Sequence, residues 1–206
     1  MRHRPVESRW WPPSFAPEES PAHRSSTPSQ SSPAIGLSMT PTGIRTETTP
    51  YRSAKARRSR SPIIVAYMLQ TLQLIPGQHV LEIGAGCGYQ TALLARLGVS
   101  VAAMEIRRGL AEAARVRLQA LNVEGVDLRI GDGSQGWPED RRFDAILVAA
   151  AARDVPAKLA RQLATPGRLI LPVGSWQQEL VLVSKDEGGM TQRTLAPVRF
   201  VPLQTP

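Results

Sequence analysis

At 206 residues the chain has room for one ordinary α/β domain and a tail. Its net charge of +8 is unevenly spread: residues 1–62 hold ten Lys/Arg against four Asp/Glu, a net of +6, and residues 63–206 come to only +2. The main body is therefore not marked as a nucleic-acid binder. No run approaches the roughly 20 apolar residues of a membrane span, and the single Cys87 excludes an intrachain disulfide framework or a cysteine-cluster zinc site and suits a reducing cytoplasm.

Residues 1–62 contain no Asp, one Leu (Leu37) and many Pro, Ser, Thr and Arg, with no helical or strand period. Such a segment is expected to be disordered. No apolar stretch follows its early arginines, which is not the pattern of a secretory signal. From Ile63 the pattern changes. IIVAYMLQTLQL (Ile63–Leu74) predicts a helix closed by Pro76-Gly77, and HVLEIGAG (His79–Gly86) a buried parallel strand running into glycines. The spacing then predicts a helix over Tyr89–Leu97, a strand over Val99–Ile106 and a long helix over Arg107–Leu121. A third strand, VDLRIGDG, runs to Gly133, and a fourth spans Phe143–Ala150. A helix follows from Pro156 to about Ala164, and a fifth strand covers Gly167–Gly174. QELVLVSKD (Gln178–Asp186) and TLAPVRFVPL (Thr194–Leu203) read as a hairpin around EGGM. The alternation predicts a doubly wound, mostly parallel Rossmann-like sheet ending in an antiparallel hairpin, over residues 63–206.

The chemistry concentrates in EIGAGCGYQ, Glu82–Gln90. Gly84, Gly86 and Gly88 turn the chain after a strand and let a ligand approach bare backbone. A dinucleotide fingerprint would need glycine at 89, where Tyr89 stands. E-x-G-x-G-x-G is instead the loop type that holds S-adenosylmethionine, with Glu82 supplying negative charge near a cationic ligand. Glu105, about 20 residues beyond the loop, is placed to take two ribose hydroxyls, and Asp132-Gly133 to receive an adenine edge. Asp144 reads equally as a group near the ligand or as a strand-edge cap. Cys87 reads as a small packing residue. Of three histidines, His79 lies at the wrong end of its strand, and no Ser/His/Asp or metal-ligand constellation is present. Methyl transfer to a carboxylate needs no histidine, because an acceptor with a pKa of about 4 is already ionised.

VLEIGAGCGYQTALLA, GDGSQGW, FDAILVAAA, the PVG at 172–174 and the terminal RFVPL together resemble the protein-L-isoaspartate O-methyltransferase family. The resemblance covers Ile63 to about Gln204 and implies transfer of a methyl group from S-adenosylmethionine to the α-carboxyl of isoaspartyl residues in damaged proteins. The ester then closes to a succinimide that can reopen to aspartate. It implies that Glu82, Gly84, Gly86 and Gly88 cradle the cofactor, that Glu105 binds its ribose and Asp132 with Gly133 its adenine end. Val201, Pro202 and Leu203 would line the peptide groove. The expected enzyme is a cytoplasmic monomer acting on isoaspartyl proteins, with no membrane or nucleic-acid partner. Alternatives are an S-adenosylmethionine-binding protein without activity whose basic tail binds nucleic acid, and a methyltransferase for another acceptor.

One departure is large. Family members carry a segment like PLPIGxGQTISQ before PYIVA, and its serine is the active-site residue. Here RRSRS precedes PIIVA, so Arg60 occupies the serine position and Arg58 the threonine position, with Ser59 and Ser61 one residue away on either side. Codons compatible with Pro50–Pro62, read from the third base, spell LPIGKGQTISQP. Two of the three bases of each shifted codon are set by the next residue of this chain, which makes a match of twelve residues hard to obtain by chance. Residues before about Pro62 are thus expected to be an out-of-frame reading of the family segment, the alternative being a divergent tail.

Overall fold

The computed structural model describes residues 61–205, and the segment expected to be disordered lies outside them apart from Ser61 and Pro62. Helix α1 (Pro62–Leu72) starts with proline in its first turn, where the missing N–H costs nothing. It buries Val65, Met68 and Leu72 at helical spacing. It ends two residues before the expected Leu74, because Gln73 adopts a left-handed conformation.

Strands β1 (His79–Ile83), β2 (Ser100–Glu105), β3 (Val126–Ile130) and β4 (Phe143–Val148) alternate with helices α2 (Tyr89–Arg96) and α3 (Arg108–Ala120). After the short helix α4 (Ala157–Arg161) come β5 (Leu163–Val173), β6 (Gln178–Asp186) and β7 (Gly189–Val198). The seven strands lie in the order β3-β2-β1-β4-β5-β6-β7. Pairs from β3 through β5 are parallel, while β6 is antiparallel to both β5 and β7. The expected doubly wound sheet with an antiparallel end is present, and the connection reverses direction between β1 and β4.

Alternation along the central strands builds two cores. Val80 faces α1, α2 and α3 with Met68, Leu94, Ala111 and Ala114, while Leu81 and Ile83 face the other side with Phe143, Leu159 and Leu163. Both faces of the parallel strands are covered, which is why they read as near-continuous apolar runs.

Several element limits differ from the sequence reading. The first and third strands stop at Ile83 and Ile130, because the glycines after them leave the sheet. Helix α4 stops at Arg161 rather than Ala164, since Leu163 already pairs with Phe143 and β5 begins there. The last strand starts at Gly189 rather than Thr194: Asp186 Oδ1 accepts from Gly188 N at 2.8 Å and closes a tight turn. It ends at Val198, so RFVPL lies outside it.

Phe143 is fully buried and meets Trp137 edge to face, with ring centroids 6.5 Å apart. Phe143→Ala removes the largest fully buried side chain of the second core and is expected to cost about 3–5 kcal/mol, read as a fall in the urea midpoint of unfolding.

Candidate active site

Each parallel strand ends on the same edge of the sheet, and the loops at that edge carry most of the residues singled out from sequence. The chain leaves β1 through Gly84, Gly86 and Gly88, all at positive φ. Gly84 N and Ala85 N both donate to Met104 O, at 2.8 and 3.1 Å, so the loop is stitched to the end of β2. A Cβ on Gly86 would meet nothing nearer than the Gly84 carbonyl oxygen at 3.9 Å, so its outer side is open. The first turn of α2 follows at once and presents N–H groups that have no partner within the helix.

Glu105 is buried at the end of β2 and holds this loop from beside it. Its Oε2 accepts from Gly86 N at 2.8 Å and its Oε1 from Arg107 N at 2.9 Å. A carboxylate offers about four acceptor positions, so each oxygen retains one for a further donor. Glu82 stands elsewhere than the sequence suggested. It is fully buried on the α2 face of β1, where Oε2 accepts from Thr91 Oγ1 at 2.6 Å. Its carboxyl group therefore ties the strand to the helix beneath the glycine loop.

Asp132 caps the 3-10 turn Gly133–Gln135: Oδ1 accepts from Ser134 N at 2.9 Å, with Gln135 Nε2 3.4 Å from Oδ2. Gly133 is buried, and a Cβ there would lie 2.5 Å from Ile83 Cγ2, so close packing of the loop on β1 requires glycine. Asp144 lies at the opposite edge, where Oδ2 accepts from His79 N at 2.7 Å; the strand-edge reading holds. Cys87 is exposed, contrary to the packing role expected of it; its carbonyl accepts from Arg117 Nη1 at 3.3 Å. Among the described residues no group of three or more His, Cys, Asp or Glu is arranged to hold a metal.

The expected groove segment closes the other half of the edge. Val201 O accepts from Ala151 N and Leu203 N donates to Ala151 O, both at 2.8 Å, so Val201, Pro202 and Leu203 lie beside the loop that follows β4. Arg107 Nη2 reaches Gln204 Oε1 at 3.4 Å, linking this segment to the residue that Glu105 holds. Arg58, Ser59 and Arg60 lie outside the described residues. Ser61 is described: it is exposed, its carbonyl accepts from Ile64 N, and it shares a recess of about 270 Å³ with Ile64, Pro197, Val198, Arg199 and Phe200.

Two functional candidates escaped the sequence reading. Gln90, in the first turn of α2, is 95% buried, and neither amide atom has a hydrogen-bond partner. A buried orphaned amide is costly, and its place directly after the glycines in GYQ was the available signal. Gln178 opens β6, and its Oε1 accepts from Phe200 N at 2.6 Å while Nε2 donates to Phe200 O at 3.2 Å. Open space over Gly86, spare acceptor positions on Glu105 and the orphaned amide of Gln90 fit a polar ligand with hydroxyl groups, such as a nucleoside.

A family profile described as Protein-L-isoaspartate(D-aspartate) O-methyltransferase matches residues 47–205. A protein-L-isoaspartate O-methyltransferase of Methylorubrum populi is 52% identical over 144 residues, taking in 69% of this chain and 68% of the relative. That of Methylorubrum extorquens is also 52% identical, and the match takes in 63% of its length. The chain thus spans about two thirds or less of these two relatives. A solved protein-L-isoaspartate O-methyltransferase superposes with a TM-score of 0.67 at 30% identity, over 71% of this chain and 48% of the other. A beta-aspartate methyltransferase of Plasmodium falciparum, solved with S-adenosyl-L-homocysteine, gives 0.66 at 25% identity over 77% and 83%. With its glycine loop, acidic β2 end and hairpin-borne terminal segment on one edge, this chain belongs to the protein-L-isoaspartate O-methyltransferase family.

Proposed function

We propose that the protein transfers a methyl group from S-adenosylmethionine to the α-carboxyl of isoaspartyl residues in damaged proteins. The observation that carries the reading is the side-by-side placement, at the strand reversal between β1 and β4, of the loop held by Glu105 and the segment Val201–Leu203. In open α/β sheets that crevice is where ligands bind. The bound cofactor supplies a methyl group activated on a sulfonium sulfur.

The protein's part is alignment and shielding. Glu105 accepts two ribose hydroxyls through the acceptor positions its backbone bonds leave over. Gly84, Gly86 and Gly88 admit the ligand to bare backbone, Asp132 and Gly133 border its adenine end, and Gln90 offers its amide to the same ligand. Glu82 acts through Thr91, fixing the start of α2. Val201, Pro202 and Leu203 line the peptide side. An ionised acceptor carboxylate needs no base, in keeping with His79 standing at the opposite edge. The fitting partner is an isoaspartyl-containing polypeptide, and the location is cytoplasmic with the enzyme a monomer. No helix among the described residues is long and apolar enough to cross a membrane.

We further infer that residues before about Pro62 are an out-of-frame reading and that the family serine is encoded between Ser59 and Ser61. What supports it is the codon correspondence over Pro50–Pro62, which spells the twelve residues LPIGKGQTISQP of the family segment. On this reading the chain as written lacks the active-site serine, with Ser59 and Ser61 only its neighbours.

Three measurements test these statements. Incubated with labelled S-adenosylmethionine, a chain in which residues 51–62 are replaced by LPIGKGQTISQP should methylate an isoaspartyl peptide and not its aspartyl twin. It should do so at least about tenfold faster than the chain as written. Equal incorporation into both peptides removes the isoaspartyl assignment. DNA sequencing across the codons for Thr40–Ala66 should reveal a gained or lost base near Pro62; an unbroken frame removes the frame inference. Gln90→Leu should raise the unfolding temperature, because an unpaired buried amide costs about 1–3 kcal/mol. The same change should weaken S-adenosylhomocysteine binding in calorimetry, and unchanged affinity would take Gln90 out of the site.

A further inference from the structure

Trp176 is the most exposed large apolar side chain among the described residues, at 94% of its full accessibility. It does not sit on a remote surface. It lies in the link from β5 to β6, and β5 runs parallel to β4, so that link is on the same edge as the glycine loop and the segment after β4.

The link is built to a fixed shape. Gly174 takes φ of +116°, and a Cβ there would collide with the Gln177 carbonyl oxygen, so the turn is open to glycine alone. Gly174 N donates to Ala152 O at 2.8 Å and Ala152 N to Pro172 O at 3.0 Å, which pins the end of β5 to the loop after β4. The neighbouring Ala151 carries Val201 and Leu203. On the far side of the link, Gln178 grips the Phe200 backbone through both ends of its amide. Trp176 is therefore held between two anchors that both lead to Val201–Leu203. Only one residue, Gln177, separates it from Gln178, two steps that span at most about 7 Å of chain.

We propose that Trp176 is a docking residue for the polypeptide substrate, receiving an apolar side chain three to five positions away from the residue that accepts the methyl group. The inference rests on the reading of Val201–Leu203 as the peptide side of the site. An extended chain of five residues spans about 17 Å, enough to run from that segment across the link. An indole gives a large contact area with few rotors to freeze, and tryptophan is enriched among residues that dominate binding. The rigid turn lowers the ordering cost further. The occupant is the flanking chain of the substrate because the link that carries the indole is joined, through Gln178 and Phe200, to the segment that would seat the acceptor itself.

The test uses two isoaspartyl peptides, one with a single residue on each side of the isoaspartate and one extended by six on each side with leucines three to five positions away. Titrated into the full chain with S-adenosylhomocysteine present, the extended peptide should shift the tryptophan emission and the short one should not. Trp137 is buried, and Trp10 and Trp11 serve as an unchanged background in the Trp176→Phe variant, where the shift should vanish. In methylation assays with the chain carrying LPIGKGQTISQP at 51–62, Trp176→Ala should raise KM for the extended peptide about tenfold, leaving kcat and the short peptide as they were. Trp176→Phe should restore most of the difference. No emission shift, or the same shift in Trp176→Phe, overturns the docking role, as does a KM change equal for both peptides. A shift, with no methylation of any isoaspartyl peptide even by the chain carrying LPIGKGQTISQP at 51–62, would instead leave docking standing and remove the proposed activity.

Discussion

Everything at the carboxyl edge depends on what Glu105 does with two backbone amides. A glycine-rich loop is costly to order, since glycine loses more conformational freedom on folding than any other residue. Here one carboxylate takes Gly86 N with one oxygen and Arg107 N with the other, while Met104 O receives the amides of Gly84 and Ala85. Hydrogen bonds to a charged acceptor are among the stronger ones in proteins. The loop, the end of β2 and the start of α3 are thereby set against one another before any ligand arrives. A carboxylate so held also keeps its remaining acceptor positions in a fixed direction, which is the condition for reading a ribose.

Below that level, Glu82 and Thr91 do for the helix what Glu105 does for the loop. Their 2.6 Å bond crosses from β1 to α2 inside the core, so the angle at which α2 leaves the glycines is set by a buried contact rather than by the loop. Gln90 is the neighbour left without such a contact. Two adjacent residues of one helix turn thus have opposite states, one satisfied inside the protein and one not. That asymmetry is what supports the proposal that Thr91 serves the fold and Gln90 a ligand.

The succession of strands was legible in the sequence because β1 to β5 are apolar runs, most of them closed by glycine or an acid, with helical spacing between most of them. So was the place of Glu105 at the end of β2, though not the two backbone amides it holds. The role of Glu82 was not legible, because a strand period tells which face a side chain takes but not which helix residue meets it. Gly133 read as a place for an adenine edge, and nothing in the sequence showed that a Cβ there would lie 2.5 Å from Cγ2 of Ile83 on β1. The early start of β5 was hidden for a related cause. Leu163 continues the helical spacing of α4, and only pairing with Phe143 turns it into a strand. The contact between Gln178 and Phe200 joins residues 22 apart through a side-chain amide, and no periodicity encodes that.

The antiparallel end of the sheet follows from where the terminal segment must be delivered. β5 runs toward the carboxyl edge with β4, and β6 returns to the opposite edge. One added strand would leave the chain end there, beside His79 and Asp144 and far from the glycine loop. A second added strand, β7, brings it back, and the chain leaves β7 at Val198 pointing across the edge where Ala151 waits to pair with Val201 and Leu203. The tight turn at Glu187-Gly188 keeps the return short, and Gln178 redirects the chain at Phe200 so that it crosses the strand ends instead of continuing along β7. Once β6 has left that edge, one further antiparallel strand is what returns the C-terminal segment to the residues that would hold the cofactor. The hairpin is therefore part of the site's construction.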